Sequence, residues 1–297
     1  MTLKGIARIG SLLLLCVSNA EALESGLPSK TAILVAAVRA IGAKDPDPRF
    51  RNPDYLAIKF LGPRERAILS AYPMDALDLD FDAALRRIPN PSNVLSQVSR
   101  TKFFDAALVD ALRKGARQVV VLGAGFDSRG YRFQSRLTGK RFFEVDYGPT
   151  QEYKKERVKE ILGALPVSVR YVPIDFTKDS LLEQLSKAGY SQREKTVFIW
   201  EGVVYYLPES SVKSTLQFVR DHAAVGSLIA FDYPLSRDIN VNNPRSLYAR
   251  LGEPWLFGFP GEGAAGYVRA EGLEVVSDEL TDVDAGKCIA RVPSRQR

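Results

Sequence analysis

The chain of 297 residues predicts an α/β fold, a seven-stranded, doubly wound sheet behind a helical amino-terminal region. Three observations predict it. From Gly115 onward, short runs rich in β-branched and aromatic residues alternate with helix-length segments. The first of these runs passes directly into a glycine turn. Before Gly115, apolar residues recur at helical spacing and no convincing strand pattern is found.

Taken in order, residues 28–43 read as a helix, with Leu34, Val38 and Ile41 on one stripe and Ser29 placed to cap it. The prolines at 46 and 48 stop it, because proline cannot continue a helix and biases the residue before it away from α. Further helices are expected at about 54–61, 64–71 and 94–114, broken by Pro63, Pro73, Pro89 and Pro91. Strands are then expected at Val119–Leu122, Phe142–Val145, Val167–Val172, Val197–Trp200 and Leu228–Phe231, with helices at about 149–163, 178–188 and 208–224. Two final runs, Leu273–Val276 and Cys288–Val292, bring the strands to seven. The stretch 235–265, rich in Pro, Gly, Asn and aromatics, is too long for an ordinary connection and reads as an inserted lid or substrate segment. The organisation is therefore a helical region over 28–115 and an α/β core over 116–297.

Composition removes several chemistries. Apolar residues make up 45% and charged residues 26%, as in an ordinary globular chain. The net charge of +6 is scattered among acids. Glu152, Lys154, Lys155, Glu156, Arg157, Lys159 and Glu160 alternate as on a solvated helix face rather than a nucleic-acid stripe. With only Cys16 and Cys288, neither a disulfide framework nor a Cys-x-x-Cys zinc site is expected. His222, the single histidine, sits where a helix should end, so a hydrolase triad is disfavoured. Residues 1–22 place Lys4 and Arg8 before the run Leu12–Val17 and small residues at 20 and 22. That is the layout of a secretory signal peptide, with a disordered extension as the alternative, and it is too short to span a bilayer.

The chemistry is carried by Val119-Val-Val-Leu-Gly123-Ala-Gly125-Phe-Asp127-Ser128-Arg129. Glycine at such a turn lets the backbone approach a ligand closely. Ser128 stands where a nicotinamide fingerprint wants a third glycine or alanine. About 20 residues on, Asp146 ends the second strand, where one carboxylate can accept both hydroxyls of a ribose. Asp175 with Phe176 and then Glu201 end the next two strands in the same polar manner. Ligands of open α/β sheets bind outside the carboxyl ends of the strands, so these three acids are expected to share a crevice.

The segments Ser99-Arg100-Thr101-Lys102-Phe103-Phe104-Asp105, Leu122 to Arg129, Phe143 to Asp146, Ile174 to Phe176 and Glu201 to Pro208 together resemble the leucine carboxyl methyltransferase-like family of S-adenosylmethionine (SAM)-dependent methyltransferases. The resemblance runs over roughly residues 28–292, with Phe176 where the family often has leucine. It implies a Rossmann-like class I methyltransferase sheet and SAM as cofactor. It further implies Arg100 on the SAM carboxylate, Gly123 and Gly125 along the methionine portion, and Asp146 on the ribose. Asp175 and Phe176 would take adenine, and Glu201 would lie beside the methionine amino group. The implied reaction is transfer of the methyl to an oxygen of a small molecule or carboxylate acceptor, with alignment and water exclusion as the protein's main task. No general base stands out, and Tyr205 and Arg129 are candidates for substrate contact. SAM supply favours the cytosol, the signal-like amino terminus export. A nicotinamide oxidoreductase would want a Tyr-x-x-x-Lys pair after the glycine loop, and the only such spacing, Tyr55 to Lys59, precedes it. A catalytically silent SAM-fold protein is the other alternative. A nucleic-acid methyltransferase is disfavoured because Trp200-Glu-Gly-Val replaces the Pro-Pro segment such enzymes carry after the fourth strand.

Overall fold

The computed structural model describes residues 27–239, 246–280 and 286–294. The signal-peptide-like residues 1–22, with Cys16, lie outside the described residues, as do 240–245 of the inserted segment.

Seven strands form one sheet: β1 (Gln118–Leu122), β2 (Arg141–Asp146), β3 (Val169–Pro173), β4 (Thr196–Trp200), β5 (Leu228–Tyr233), β6 (Glu274–Glu279) and β7 (Gly286–Arg291). Their order is β3-β2-β1-β4-β5-β7-β6. The first five are parallel, and β7 is antiparallel to both β5 and β6. The physical reason for the reversal is length. Only six residues separate Glu279 from Gly286, too few for the crossover a parallel neighbour requires. The chain order reverses direction between β1 and β4, so the carboxyl ends of those strands form the crevice of a doubly wound sheet.

Each central strand is buried on both faces. Val119 and Val121 of β1 enter one core with Phe142, Val197 and Ile199, whereas Val120 and Leu122 enter the other with Phe143, Phe198 and Trp200. The period of two in side-chain direction divides one apolar run between two cores. The helical region supplies the first core: α1 (Lys30–Gly42) contributes Ile33, Ala37 and Ile41, and α4 (Ser92–Arg113) contributes Phe104, Leu108 and Ala111. Gly42 allows the two helices to meet, since a Cβ there would lie 3.2 Å from Val94 and Val98. Between them lie α2 (Pro63–Ile68), with proline in its first turn, and α3 (Phe81–Arg87). Residues 57–60, within the expected 54–61 helix, form a 3-10 turn.

Past the glycine turn come the short α5 (Arg129–Arg132) and α6 (Gln134–Leu137), then α7 (Gly148–Leu162), α8 (Leu181–Lys187) and α9 (Glu209–His222). The inserted segment holds α10 (Leu247–Arg250), and α11 (Ala265–Ala270) precedes β6. One expectation needs correction. The charged stripe of α7 is not wholly solvated: the Lys154 ammonium is buried against Glu144 of β2 at 2.8 Å. The pair lies beneath the face that α7 turns to the sheet, so the stripe is interrupted where the helix packs. No helix among the described residues is long and apolar enough to cross a membrane.

Candidate active site

The glycine turn leaves β1 through Gly123 and Gly125, both at positive φ (67° and 41°). A side chain on Gly123 would overlap Val203, and one on Gly125 would press on Ala32 of α1 at 3.3 Å. The turn is tied to β2 by amide donation from Gly123 and Ala124 to the Val145 carbonyl at 2.7 and 3.1 Å. Asp146, the last residue of β2, completes it. Its Oδ2 accepts the Gly125 amide at 2.6 Å and its Oδ1 the Tyr147 amide at 2.7 Å. Burial pushes the Asp146 carboxyl up to about 6, against the pull of those two amides. The carboxylate therefore stays ionised at neutral pH, with lone pairs left to accept further donors.

Beside this turn lies a buried ionic network centred on Glu201, one residue past β4. Its Oε1 accepts from Arg39 and, at 3.1 Å, from Arg100 Nε, while Oε2 lies 2.7 Å from Arg129 Nη1. Burial would raise this carboxyl, but Arg39, Arg129 and Arg100 outweigh it and hold the group well below the usual carboxylate range. Arg100, projecting from α4, also donates through Nη1 to the Tyr205 hydroxyl and to Asp232 Oδ2, each at 3.3 Å. Asp232, near the end of β5, is held in turn by the Gly202 amide at 2.6 Å. Arg100 is thus gripped by two carboxylates and a phenol, and none of these bonds uses Nη2.

The predicted residues fare differently. Gly123, Gly125 and Asp146 meet at one turn, and Arg100, Glu201 and Tyr205 meet at one buried cluster. Arg129 is 1% exposed and enclosed by Asp105, Asp127 and Glu201, which makes it a buried ionic strut. Asp175 is turned toward its own loop: Oδ1 accepts the Thr177 amide and hydroxyl at 2.9 and 2.6 Å, and Oδ2 meets Lys178 at 2.9 Å. Burial raises the Asp175 carboxyl, but these partners outweigh it and leave the group below its ordinary value. Phe176 is half-buried and lines a cavity of about 340 Å³ with Ile174, Leu182 and Phe218. A larger cavity of about 500 Å³ surrounds His222, the last residue of α9. It lies where α9 returns toward the start of β5, away from the carboxyl ends that hold the acids.

Sequence reasoning passed over Arg39, Asp232 and Glu253. A lone arginine in the otherwise apolar stripe of α1, and an aspartate inside the apolar run of β5, each signalled a buried charged partner. Glu253 gave no such signal, because its partners are 222–224 residues away.

Residues 32–220, more than half of the chain, match the family described as leucine carboxyl methyltransferase. The chain belongs to the leucine carboxyl methyltransferase family. Its relatives include proteins named as S-adenosyl-L-methionine-dependent methyltransferases, a name they carry provisionally. One from Frankia alni is 38% identical over 66% of this chain and 65% of its own length. Another, from Mycobacterium avium, is 33% identical over 68% of this chain and 66% of its own. The chain thus spans just under two thirds of the length of these relatives. A solved DUF574 family protein from Streptomyces avermitilis shares the fold, with a TM-score of 0.55 at 17% identity over 86% of this chain and 97% of that one. The matched segment contains the glycine turn, Asp146, Arg100 and Glu201, and leaves out Asp232 and the inserted segment.

Proposed function

We propose that this protein is a SAM-dependent methyltransferase that methylates an oxygen of a small molecule or a carboxylate acceptor. The observation that carries the reading is the pairing of the Gly125 amide with Asp146 Oδ2 at the carboxyl ends of β1 and β2, 2.6 Å apart and beside the switch point of the sheet. The site suits the cofactor on its donor set. Asp146 offers an ionised acceptor for a vicinal diol, and Arg100, whose bonds among the described residues run through Nε and Nη1, has Nη2 to offer a carboxylate. Gly123 and Gly125 keep the backbone bare for close approach. Glu201, paired with three guanidinium groups, acts here by fixing Arg100. Asp175 and Phe176 remain the residues proposed for adenine, with Phe176 supplying the apolar wall.

Bound SAM would supply a methyl carbon already activated by its sulfonium charge, open to in-line attack by an oxygen nucleophile, with the O–C bond forming as the S–C bond breaks and S-adenosylhomocysteine (SAH) leaving. The chain's own residues hold and dehydrate the reactants, contributions that can be large without a dedicated base. Burial pushes the Tyr205 phenol well above its usual range, so it stays protonated and donates or orients rather than accepting a proton. Asp232 is fully enclosed and committed to Arg100 and Gly202. These two facts favour a carboxylate acceptor, which is ionised near neutral pH without help, over a phenol or alcohol.

Calorimetric titration with SAM and, separately, NADH tests the cofactor. Micromolar-range heat with SAM and none with NADH is expected, and the reverse pattern removes the proposal. Turnover of a panel of matched carboxylic acids and alcohols then tests the acceptor, with methyl esters expected to dominate. The same reading puts the protein in the cytosol, where SAM is made, and fractionation of cells expressing the full chain tests that against export.

A further inference from the structure

The first turn of α1 is capped from the far end of the chain. Ser29 serves as an ordinary local cap, accepting the Ala32 amide at 3.1 Å. The remaining donors go to Glu253 of the inserted segment. Its Oε1 accepts the Lys30 and Thr31 amides at 2.7 and 3.3 Å, and its Oε2 accepts the Ser29 hydroxyl at 2.7 Å and the Thr31 hydroxyl. A carboxylate is well suited there, because the first amides of a helix have no intrahelical acceptor and carry partial positive charge. A cap supplied locally would stabilise one helix. A cap supplied across 224 positions ties the first helix to a segment far away in the chain.

What those elements enclose gives the contact its meaning. The capped turn rests on the glycine turn through Ala32 and Gly125. On its other side the Ser29 amide reaches the Thr150 hydroxyl of α7 at 3.4 Å, just beyond Asp146. The strap carrying Glu253 is anchored separately. Leu256 donates its amide to the Tyr205 carbonyl at 2.6 Å, Trp255 packs on Tyr205 with ring centroids 4.7 Å apart, and Phe259 pairs with Pro234 and Ser236 at the end of β5. Glu253 also adds, after burial, to the upward push on the Asp146 carboxyl, so the two carboxylates sense each other.

We propose that Glu253 is a positioning residue for the cofactor site, a clasp that holds the start of α1 and the 246–259 strap together over the Gly125–Asp146 turn and must open for the nucleoside product to leave. The inference rests on the methyltransferase reading. It requires the glycine turn to be a nucleoside site, and it adds the element that retains the occupant.

The test uses the full chain with Glu253→Ala and Glu253→Gln. In the ligand-free protein, hydrogen exchange at the amides of residues 30 and 31 should quicken at least about tenfold in Glu253→Ala, the worth of one charge-assisted bond, while β1 amides are unchanged. SAH dissociation, followed by stopped-flow, should quicken by at least about the same factor. The KM for SAM should rise without a fall in kcat, and Glu253→Gln, which keeps one acceptor oxygen, should fall between the wild type and Glu253→Ala. Faster exchange in α1 with unaltered SAH release overturns the positioning role, and unaltered exchange overturns the clasp itself. If the wild-type protein binds no SAH at all, the methyltransferase reading fails with it, while the exchange result still shows whether Glu253 joins the two elements.

Discussion

Asp146→Asn preserves shape and removes charge, and so isolates what the carboxylate does. In the wild type each Asp146 oxygen already accepts a backbone amide, at 2.6 and 2.7 Å. An asparagine must present its NH₂ group to one of those amides, donor against donor, and offers a ribose one acceptor instead of two. Losing charge-assisted acceptance of a diol costs about 3 kcal/mol, the sum of two bonds at about 1.5 kcal/mol each, or roughly a hundredfold in Kd. Because burial raises the wild-type carboxyl to about 6, the ionised form that binds is lost as pH falls through that value. Wild-type SAM affinity should therefore be flat above pH 7 and decline by about tenfold per pH unit well below 6. The asparagine variant should be weak and flat throughout. Calorimetric titration of both proteins between pH 5 and 8 measures this. Equal affinities at pH 7.5, or a wild-type affinity that does not change down to pH 5, would refute the placement of a ribose on Asp146.

Three further outcomes follow from the buried charges. Glu201→Gln removes the negative charge shared by Arg39, Arg100 and Arg129 and should cost about 3–5 kcal/mol of stability in urea unfolding at pH 7. Since the folded Glu201 carboxyl is held far below its unfolded value, its contribution is present above the ordinary carboxylate range and lost only as pH falls through the depressed value, so the gap between the two proteins should be constant from pH 5 to 8. Lys154→Met leaves Glu144, already raised to about 7 by burial, without its cation. A raised carboxyl favours the folded state at low pH and loses that contribution as pH rises through the folded value, so this variant should be less stable at pH 8 than at pH 6 by urea unfolding. Tyr205→Phe removes one 3.3 Å bond to Arg100 and should weaken SAM binding by less than about tenfold, with no change in the pH profile of turnover. A loss of hundredfold or more in kcat would instead place the phenol in the chemistry.

The parallel half of the sheet was legible because burial on both faces demands continuous apolar runs, and Val119–Leu122 or Val197–Trp200 admit few other readings. The glycine turn and Asp146 were legible for a different reason. They lie 21 residues apart, Gly125 to Asp146, within one strand–turn–helix–strand unit whose geometry is local, and the Gly125–Asp146 bond follows from it. Asp175 was visible as a polar strand end, but its sequence could not say that Thr177 and Lys178 would engage it first. The antiparallel last strand needed the length of its connection to be weighed against its apolar pattern.

The sequence by itself determined the alternation of strands and helices, the position of the glycine turn, and the acid that follows it. Those features depend on periodicity and on contacts between near neighbours, which the order of residues encodes directly. Only the tertiary structure decided which charges neutralise one another. Arg39, Arg100 and Arg129 come from three separate elements to one carboxylate, and Glu253 reaches back to the first helix. An ion pair in a low-dielectric interior is selected by distance and burial after the chain has packed, and neither quantity is written in the spacing of residues along it.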